Sequence, residues 1–305
     1  MNIIVTGGAG FLGTHLCRRL TKDGHIVTVL DLNANPEFET IIADVRDRES
    51  MKKYIKNTDA VFHLAAKIEA GESVKNPREF IDHNINGTLS VLDAMVVNDV
   101  KTILFSSTAA VYGEPIRVPI FEDDRTIPIN PYGMTKLAVE GLLSSYVATH
   151  NITAIAMRYF NLFGPEEHHE PETHAIPRFI KQIYQDEPVT VWGKGEHMRD
   201  FIYISDVVEA HINALSLAST SPNQYHYCNL SSQKPASVLD VITLIGSIME
   251  KEPQISYFPA RLGDPLVLVA DASKAHRILG WSASVDLETG LKNTIDYFLK
   301  SWTES

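Results

Sequence analysis

The sequence predicts an α/β protein: a doubly wound parallel sheet with a smaller, intertwined C-terminal domain. Three observations predict it. Short, wholly apolar runs alternate with long helical stretches, the pattern of βαβ units. A glycine-rich turn directly follows the first of those runs. No Pro/Gly/Ser-rich linker divides the 305 residues, so the two domains that this length suggests are expected to pack closely and share strands.

The elements follow in order. Residues 2–6 (NIIVT) lack polar alternation, as expected of a parallel strand covered on both faces. After the glycine turn a helix is expected over 10–22, closed by Asp23 and Gly24, and a second strand over 25–30. A third strand is expected near Asp44 and Val45. Residues 60–64, 102–106 and 153–158 read as further strands, with helices over 77–98 and 132–150 between them. The later half is less regular. Gly, Pro, His and Glu crowd 164–174, which reads as a loop. A helix over 176–185 and a strand over 189–192 follow, then helices over 205–217, 238–250, 273–279 and 287–301. The expected division gives residues 1–166 to the first domain, which also receives about 204–231. The remaining segments of 167–305 form the second.

Composition excludes several classes. Hydrophobic residues make up 44%, enough for a sizeable core and too much for a disordered chain. The net charge is −11 and no basic stripe occurs, so no nucleic-acid partner is expected. An anionic ligand must be held by a few placed arginines. No apolar stretch reaches the length of a membrane span, so no membrane partner is expected. The two cysteines, Cys17 and Cys228, cannot build a disulfide framework. With the first strand expected at Asn2, no secretory leader is anticipated, and the location expected is cytoplasmic.

Gly7, Gly10 and Gly13 form G-x-x-G-x-x-G between a strand and a helix. Glycines there let the backbone turn sharply and approach a pyrophosphate, which the open N–H groups of the helix start then face. In that context the triplet marks a dinucleotide site on a Rossmann fold. Asp31 closes the second strand 18 positions after Gly13. Its carboxylate can accept both adenosine ribose hydroxyls and would repel a 2′-phosphate. Leu32 and Asn33 supply no compensating arginine, so the expected cofactor is NAD rather than NADP. Asp44 and Val45 are placed to flank the adenine.

Tyr132 and Lys136 lie four residues apart at the start of a long helix, on one face. A free phenol titrates at about 10. A nearby ammonium and a nicotinamide cation would both favour its phenolate; bringing it to neutrality takes about 4 kcal/mol, within reach of two close cations. Tyr132 could then take the proton of a sugar hydroxyl. Ser106, Ser107 and Thr108 end the preceding strand, on the side where open α/β sheets bind ligands. A hydroxyl there can share the proton of the reacting oxygen.

With those residues in place, the chain resembles the extended short-chain dehydrogenase/reductase family. Within it, the likeness is to UDP-glucose 4-epimerases and related nucleotide-sugar 4-epimerases. It runs through TGGAGFLG (6–13), HLAA (63–66), GESV (71–74), NINGT (84–88), SSTAAVYG (106–113), NPYGMTKL (130–137), RYFNLFGP (158–165), RDFIYISDVVEAH (199–211) and RLGDPLVLVADASKAHRILGW (261–281). The resemblance implies that Thr108, rather than Ser107, is the catalytic hydroxyl. Related dehydratases carry Asp-Glu after it, where this chain has Ala109 and Ala110, so expulsion of water is not expected.

The implied reaction is interconversion of UDP-glucose and UDP-galactose, or of their N-acetyl forms, through a transient 4-keto sugar. Tyr132 removes the 4-hydroxyl proton, NAD takes the C4 hydride, and the sugar turns over before the hydride returns. By the same resemblance Phe11, Leu12, Leu64, Ala65, Ala66, Asn84, Ser106 and Tyr159 join the glycines, Asp31, Asp44 and Val45 around NAD, which Tyr132 and Lys136 also touch. Thr108, Tyr132, Asn161, His174, Trp192, Arg199 and Arg261 are implied to hold the UDP-sugar, the two arginines on its diphosphate. A lysine usual in the family aligns with Ile68, beside Lys67. Leu268 stands where members restricted to unacetylated sugars often carry a bulky aromatic residue, so space at C2 is expected. The helices over 77–98 and 132–150 are apolar on more than one stripe, and the family pairs them in a homodimer.

Other readings remain open at this point. The chain could act on UDP-glucuronate or UDP-GlcNAc, as an epimerase or reductase, or be an NAD-binding sensor without catalysis. His168, His169 and His174 lie near Glu166, Glu167 and Glu172, but their spacing matches no usual zinc pattern, and no metal is expected. His63 and Cys17 read as structural.

Overall fold

The computed structural model describes residues 1–168, 174–260 and 265–303. The first half alternates strand and helix. In chain order it holds β1 (Asn2–Thr6), α1 (Phe11–Lys22), β2 (Ile26–Asp31), β3 (Thr40–Ile42), α2 (Arg48–Tyr54), β4 (Ala60–His63), α3 (Ala70–Lys75), α4 (Pro77–Phe80), α5 (Gly87–Val97), β5 (Thr102–Thr108), α6 (Pro131–His150) and β6 (Thr153–Tyr159). Among the described residues, seven strands form one sheet, all neighbours parallel. Its order is the seventh strand, β6, β5, β4, β1, β2, β3. That seventh strand comes from the second half of the chain.

The strands read as unbroken apolar runs because both faces are covered. Ile3, Val5, Phe62, Leu104 and Ile155 share one core with Leu16, Leu20, Val207 and Ala214. The alternate residues Ile4, Val61, Ile103, Phe105 and Ala154 share the other with Leu92, Val139 and Leu143. A period of two thus divides each strand between two hydrophobic layers.

The second half holds β7 (Asn161–Phe163), α7 (Ala175–Tyr184), β8 (Val189–Trp192), β9 (Met198–Arg199), β10 (Phe201–Tyr203), α8 (Ile204–Thr220), β11 (Tyr225–Leu230), β12 (Ala236–Ser237), α9 (Val238–Ile248), β13 (Ile255–Phe258), β14 (Val267–Leu268), α10 (Ser273–Leu279) and α11 (Leu287–Thr303). β11 is the strand that returns to the large sheet beside β6. β7 pairs with β10, β8 with β13, and β9 with both β12 and β14. Helix α8 packs on α1.

Two differences from the expected elements matter for the site. The strand expected to stop at residue 106 continues to Thr108, which carries all three hydroxyls to the sheet edge. The helix expected over 77–98 is interrupted by a π-helical turn over Ile81–Asn86. Such turns shift one residue out of the helical register and often mark functional positions; here the shifted segment contains Asn84. Among the described residues, no helix is long and apolar enough to cross a membrane.

Candidate active site

A cavity of about 940 Å³ opens along the carboxyl ends of β1, β2, β4, β5 and β6 and runs on to α7, β8 and β9. Its first wall is the glycine turn. Gly7 has φ +71°, and a Cβ there would stand 2.6 Å from the Ala65 amide nitrogen. A Cβ on Gly13 would meet the Gly7 carbonyl at 2.3 Å. Only hydrogen fits at either place, so loop and helix close directly on each other. Gly10 caps α1 without any side-chain hydrogen bond, which leaves the amides of the first turn open toward the cavity that Gly10, Phe11 and Leu12 line.

Asp31 ends β2 on the same wall. It accepts from the Ala9 and Asn33 amides, one on each carboxylate oxygen, at 3.0 Å, and each oxygen keeps a free lone-pair direction. Asp44 and Val45 line the next section, with Leu64, Ala65 and Ala66 opposite. Arg46 grips Asp44 with side chain and backbone and holds its carboxyl below the usual range. This donor and acceptor set fits a dinucleotide.

Behind the β1–β4 edge, a buried chain of hydrogen bonds fixes the wall. Thr88 donates to the Asn84 carbonyl at 2.6 Å, so it accepts from His63 Nε2 at 2.8 Å. His63 Nδ1 then accepts from Thr6 at 2.7 Å. Burial pushes the imidazole down to about 3, so it stays neutral. His63 is structural, as expected.

Asn84 is not among the residues that line the cavity. Its side chain accepts from the Lys67 amide at 2.8 Å, and donates to the Lys67 carbonyl at 2.9 Å and to Thr135 at 3.0 Å. It positions the Lys67 peptide, which does line the cavity. The Lys67 ammonium pairs with Glu79 instead of turning inward.

Where the two halves of the chain meet, Ser106, Thr108, Tyr132 and Tyr159 converge on the cavity. Asn130 caps α6 by accepting from the Gly133 amide at 2.8 Å, and Pro131 occupies the first turn. This sets Tyr132 at the helix start, beside Thr108, whose hydroxyl favours the ionised phenol. Ser107 is not available to substrate: its hydroxyl is taken by the buried carboxylate of Glu140. Lys136 Nζ donates to the Ser106 carbonyl at 2.7 Å and lies 4.8 Å from the centre of the Phe105 ring. Tyr159 donates to His211 Nε2 at 2.7 Å, because His211 Nδ1 is committed to the Val207 carbonyl at 2.8 Å.

In the protein without NAD, burial works against the expected phenolate. The protein alone does not lower the Tyr132 phenol. Burial raises it to about 12, against a lowering from Thr108 and with a further rise from Glu69. Burial also lowers Lys136 to about 7, opposed by Glu140. Lys136 is buried behind the lining and reaches the site through the Ser106 carbonyl.

At the far end the cavity is lined by Asn161, His174, Trp192 and Arg199. Arg199 Nη1 donates to the Met198 carbonyl at 2.9 Å. The Trp192 ring lies 5.3 Å from that of Phe258. His174 Nδ1 bonds Glu167, and its Nε2 is 3.8 Å from Glu69. Arg178, Glu69, Glu167 and His197 also line this end and were not anticipated. Arg178 follows His174 by four residues on α7, a spacing that could have flagged it. Leu268 is not among the lining residues; it packs against a cluster holding Ala109, Tyr112 and Phe160. Arg261 lies outside the described residues, as do His169 and Glu172. His168 bonds the Tyr297 hydroxyl at 3.1 Å. Among the described residues, no group of three His, Cys, Asp or Glu is placed to hold a metal ion.

Comparison with known proteins gives a consistent picture. The chain is 37% identical over 302 residues to a UDP-glucose 4-epimerase of Halalkalibacterium halodurans, covering 92% of this chain and 90% of that protein. Among solved structures it superposes with a TM-score of 0.94 on UDP-glucose-4-epimerase from Stenotrophomonas maltophila with bound NAD and formylated UDP-arabinopyranose, at 32% identity and with both chains covered in full. The Thermotoga maritima UDP-glucose 4-epimerase, solved with UDP-glucose, gives 0.92 at 32% identity, covering 99% of this chain and 100% of that one. The model of the NAD dependent epimerase/dehydratase family matches residues 3–228, and the chain belongs to that family.

Proposed function

We propose that the protein is an NAD-dependent nucleotide-sugar 4-epimerase that interconverts UDP-glucose and UDP-galactose through a transient 4-keto sugar. The observation that carries this is the meeting of Tyr132 and Thr108 in a cavity walled by the glycine turn at one end and by Trp192 and Arg199 at the other. NAD, when bound, supplies an acceptor for the C4 hydride and gives it back. The chain's own residues do the rest. Tyr132 takes and returns the proton of the 4-hydroxyl, and Thr108, beside it, shares that proton. Lys136 fixes the strand end through the Ser106 carbonyl. Ala109, buried in an apolar cluster, and Ala110 offer no acid–base group after Thr108, so the keto sugar has no route but reduction.

Arg199 and Asn161 suit the diphosphate, and Trp192 a nucleobase. In this reading residues 1–166 with about 204–231 carry NAD, and the remaining segments of 167–305 carry the sugar nucleotide. The same reading makes the protein a homodimer through α4, α5 and α6, where Ile81, Val96, Val97 and Met134 are exposed. It also assigns a cytoplasmic location, supported by two free, buried cysteines.

The test is incubation of the purified protein with UDP-galactose, followed by NMR of the anomeric proton. The expected result is an equilibrium with UDP-glucose and no stoichiometric consumption of NAD. Turnover confined to UDP-glucuronate or UDP-GlcNAc would move the substrate assignment. Tight NAD binding without turnover of any UDP-sugar would replace the enzyme by a sensor.

A further inference from the structure

Helix α6 and strand β5 are joined by three side-chain contacts at one-turn intervals along the helix. Tyr132 lies beside Thr108. Lys136 donates to the Ser106 carbonyl at 2.7 Å. Glu140 accepts from the Ser107 hydroxyl. The first two belong to the reaction already described. The third is buried, and nothing assigned so far uses it.

Glu140 is unusual in its surroundings. It is 4% exposed, and Arg158 of β6 grips it with two hydrogen bonds, Nε at 3.0 Å and Nη2 at 2.6 Å. Arg158 is itself held between the rings of Tyr112 and Tyr227, 5.0 and 4.8 Å from their centres, and donates to Tyr112 at 2.8 Å and to the Glu122 carbonyl at 3.2 Å. Such a pair costs desolvation, and a well-packed apolar pair would serve stability as well. A buried carboxylate with a saturated partner, one turn from a buried lysine, has a further role available.

The titratable groups that bear on Lys136 can be named. Tyr132 and Glu140 share its helix. His63 on β4 stays neutral. Arg158 on β6 and Tyr225 on β11 face Glu140. Burial lowers Lys136, and Glu140 opposes that.

We propose that Glu140 is a positioning residue for this reaction: locked by Arg158, it clamps α6 to β5 beside Tyr132 and Thr108, with its carboxylate one helical turn from Lys136. The catalytic half of this statement rests on the epimerase reading; the effect on Lys136 does not.

The test uses the NAD-loaded protein with ¹³C-labelled lysine ε-carbons, the Lys136 signal being assigned with Lys136→Met. Glu140→Gln, Glu140→Asp and Ser107→Ala are titrated by NMR and assayed with UDP-galactose. In Glu140→Gln the Lys136 midpoint should fall by about one pH unit or more. Its kcat should fall about tenfold or more, with KM within about threefold. Glu140→Asp should recover most of both. Ser107→Ala should leave the midpoint in place and lose only a few-fold in kcat. Should Glu140→Gln fail to fold, Glu140→Gln combined with Arg158→Met, which removes the orphaned guanidinium, is read instead. A folded variant with the wild-type Lys136 midpoint and the wild-type kcat overturns the proposal. A wild-type protein inert on every UDP-sugar would overturn the epimerase reading instead, and the Lys136 titration would still decide the clamp's charge effect.

Discussion

Tyr132 and Lys136 stand one helical turn apart, and the same burial drives their proton affinities away from each other: the phenol up to about 12, the ammonium down to about 7. A phenol titrating there is ionised in only about one molecule in 10⁵ at pH 7. A positive charge arriving with the dinucleotide would favour the phenolate. Tyrosinate absorbance, with Tyr132→Phe as blank, should appear at lower pH in the NAD-loaded protein than in the stripped one. Tyr132→Phe itself should keep NAD and lose about 10³-fold or more in kcat. Equal tyrosinate titrations with and without NAD would contradict this account of activation.

Thr108 and Ser107 separate two roles for adjacent hydroxyls. Thr108 lies beside Tyr132, whereas the Ser107 hydroxyl is taken by the buried carboxylate of Glu140. Thr108→Ala should cost about 10²-fold in kcat, and Thr108→Ser less than about tenfold. Steady-state kinetics decide it: Ser107→Ala costing more than Thr108→Ala would reverse the assignment.

Glycine substitutions should have opposite signs at two helical positions. A methyl on Gly13 meets backbone at 2.3 Å, from the Gly7 carbonyl, whereas one on Gly141 in α6 meets nothing within 4 Å. Gly13→Ala should destabilise by about 1–3 kcal/mol and release NAD. Gly141→Ala should stabilise by about 0.5–1 kcal/mol. Thermal melts with and without added NAD measure both.

Acid should destabilise the protein through two neutral histidines. Burial holds His63 at about 3 and His211 at about 4, against 6.5 for an ordinary imidazole. Between 6.5 and those values the unfolded chain binds protons that the folded chain refuses. Stability is therefore fully present above 6.5 and is lost as pH falls through that window, at up to about 1.4 kcal/mol per pH unit for each histidine. Urea unfolding at pH 7 and pH 5 should show the loss, and His63→Gln should blunt it. A stability independent of pH over that interval would refute the prediction.

Much of the fold is legible in the sequence where burial is two-sided. Residues 153–159 are buried throughout and read at once as a strand. The glycine turn and Asp31 are legible because backbone sterics and a strand end dictate them. Two-residue strands such as Met198–Arg199 and Val267–Leu268 carry no period to detect. The π-helical turn at Ile81–Asn86 contains no glycine or proline to mark it, so the helical reading runs straight through it and misses how Asn84 holds the Lys67 peptide. The Tyr132–Lys136 spacing is visible, but the burial that opposes phenolate formation is a property of packing. Arg178 lines the cavity four residues after His174, and only that spacing signals it in the sequence.

The central claim is that the hydrogen leaves C4 and returns to C4 without meeting solvent. UDP-galactose carrying deuterium at C4, converted by the protein in ordinary water, tests it most directly. The account predicts UDP-glucose with the deuterium still at C4. Product that has exchanged the label for solvent hydrogen would contradict it.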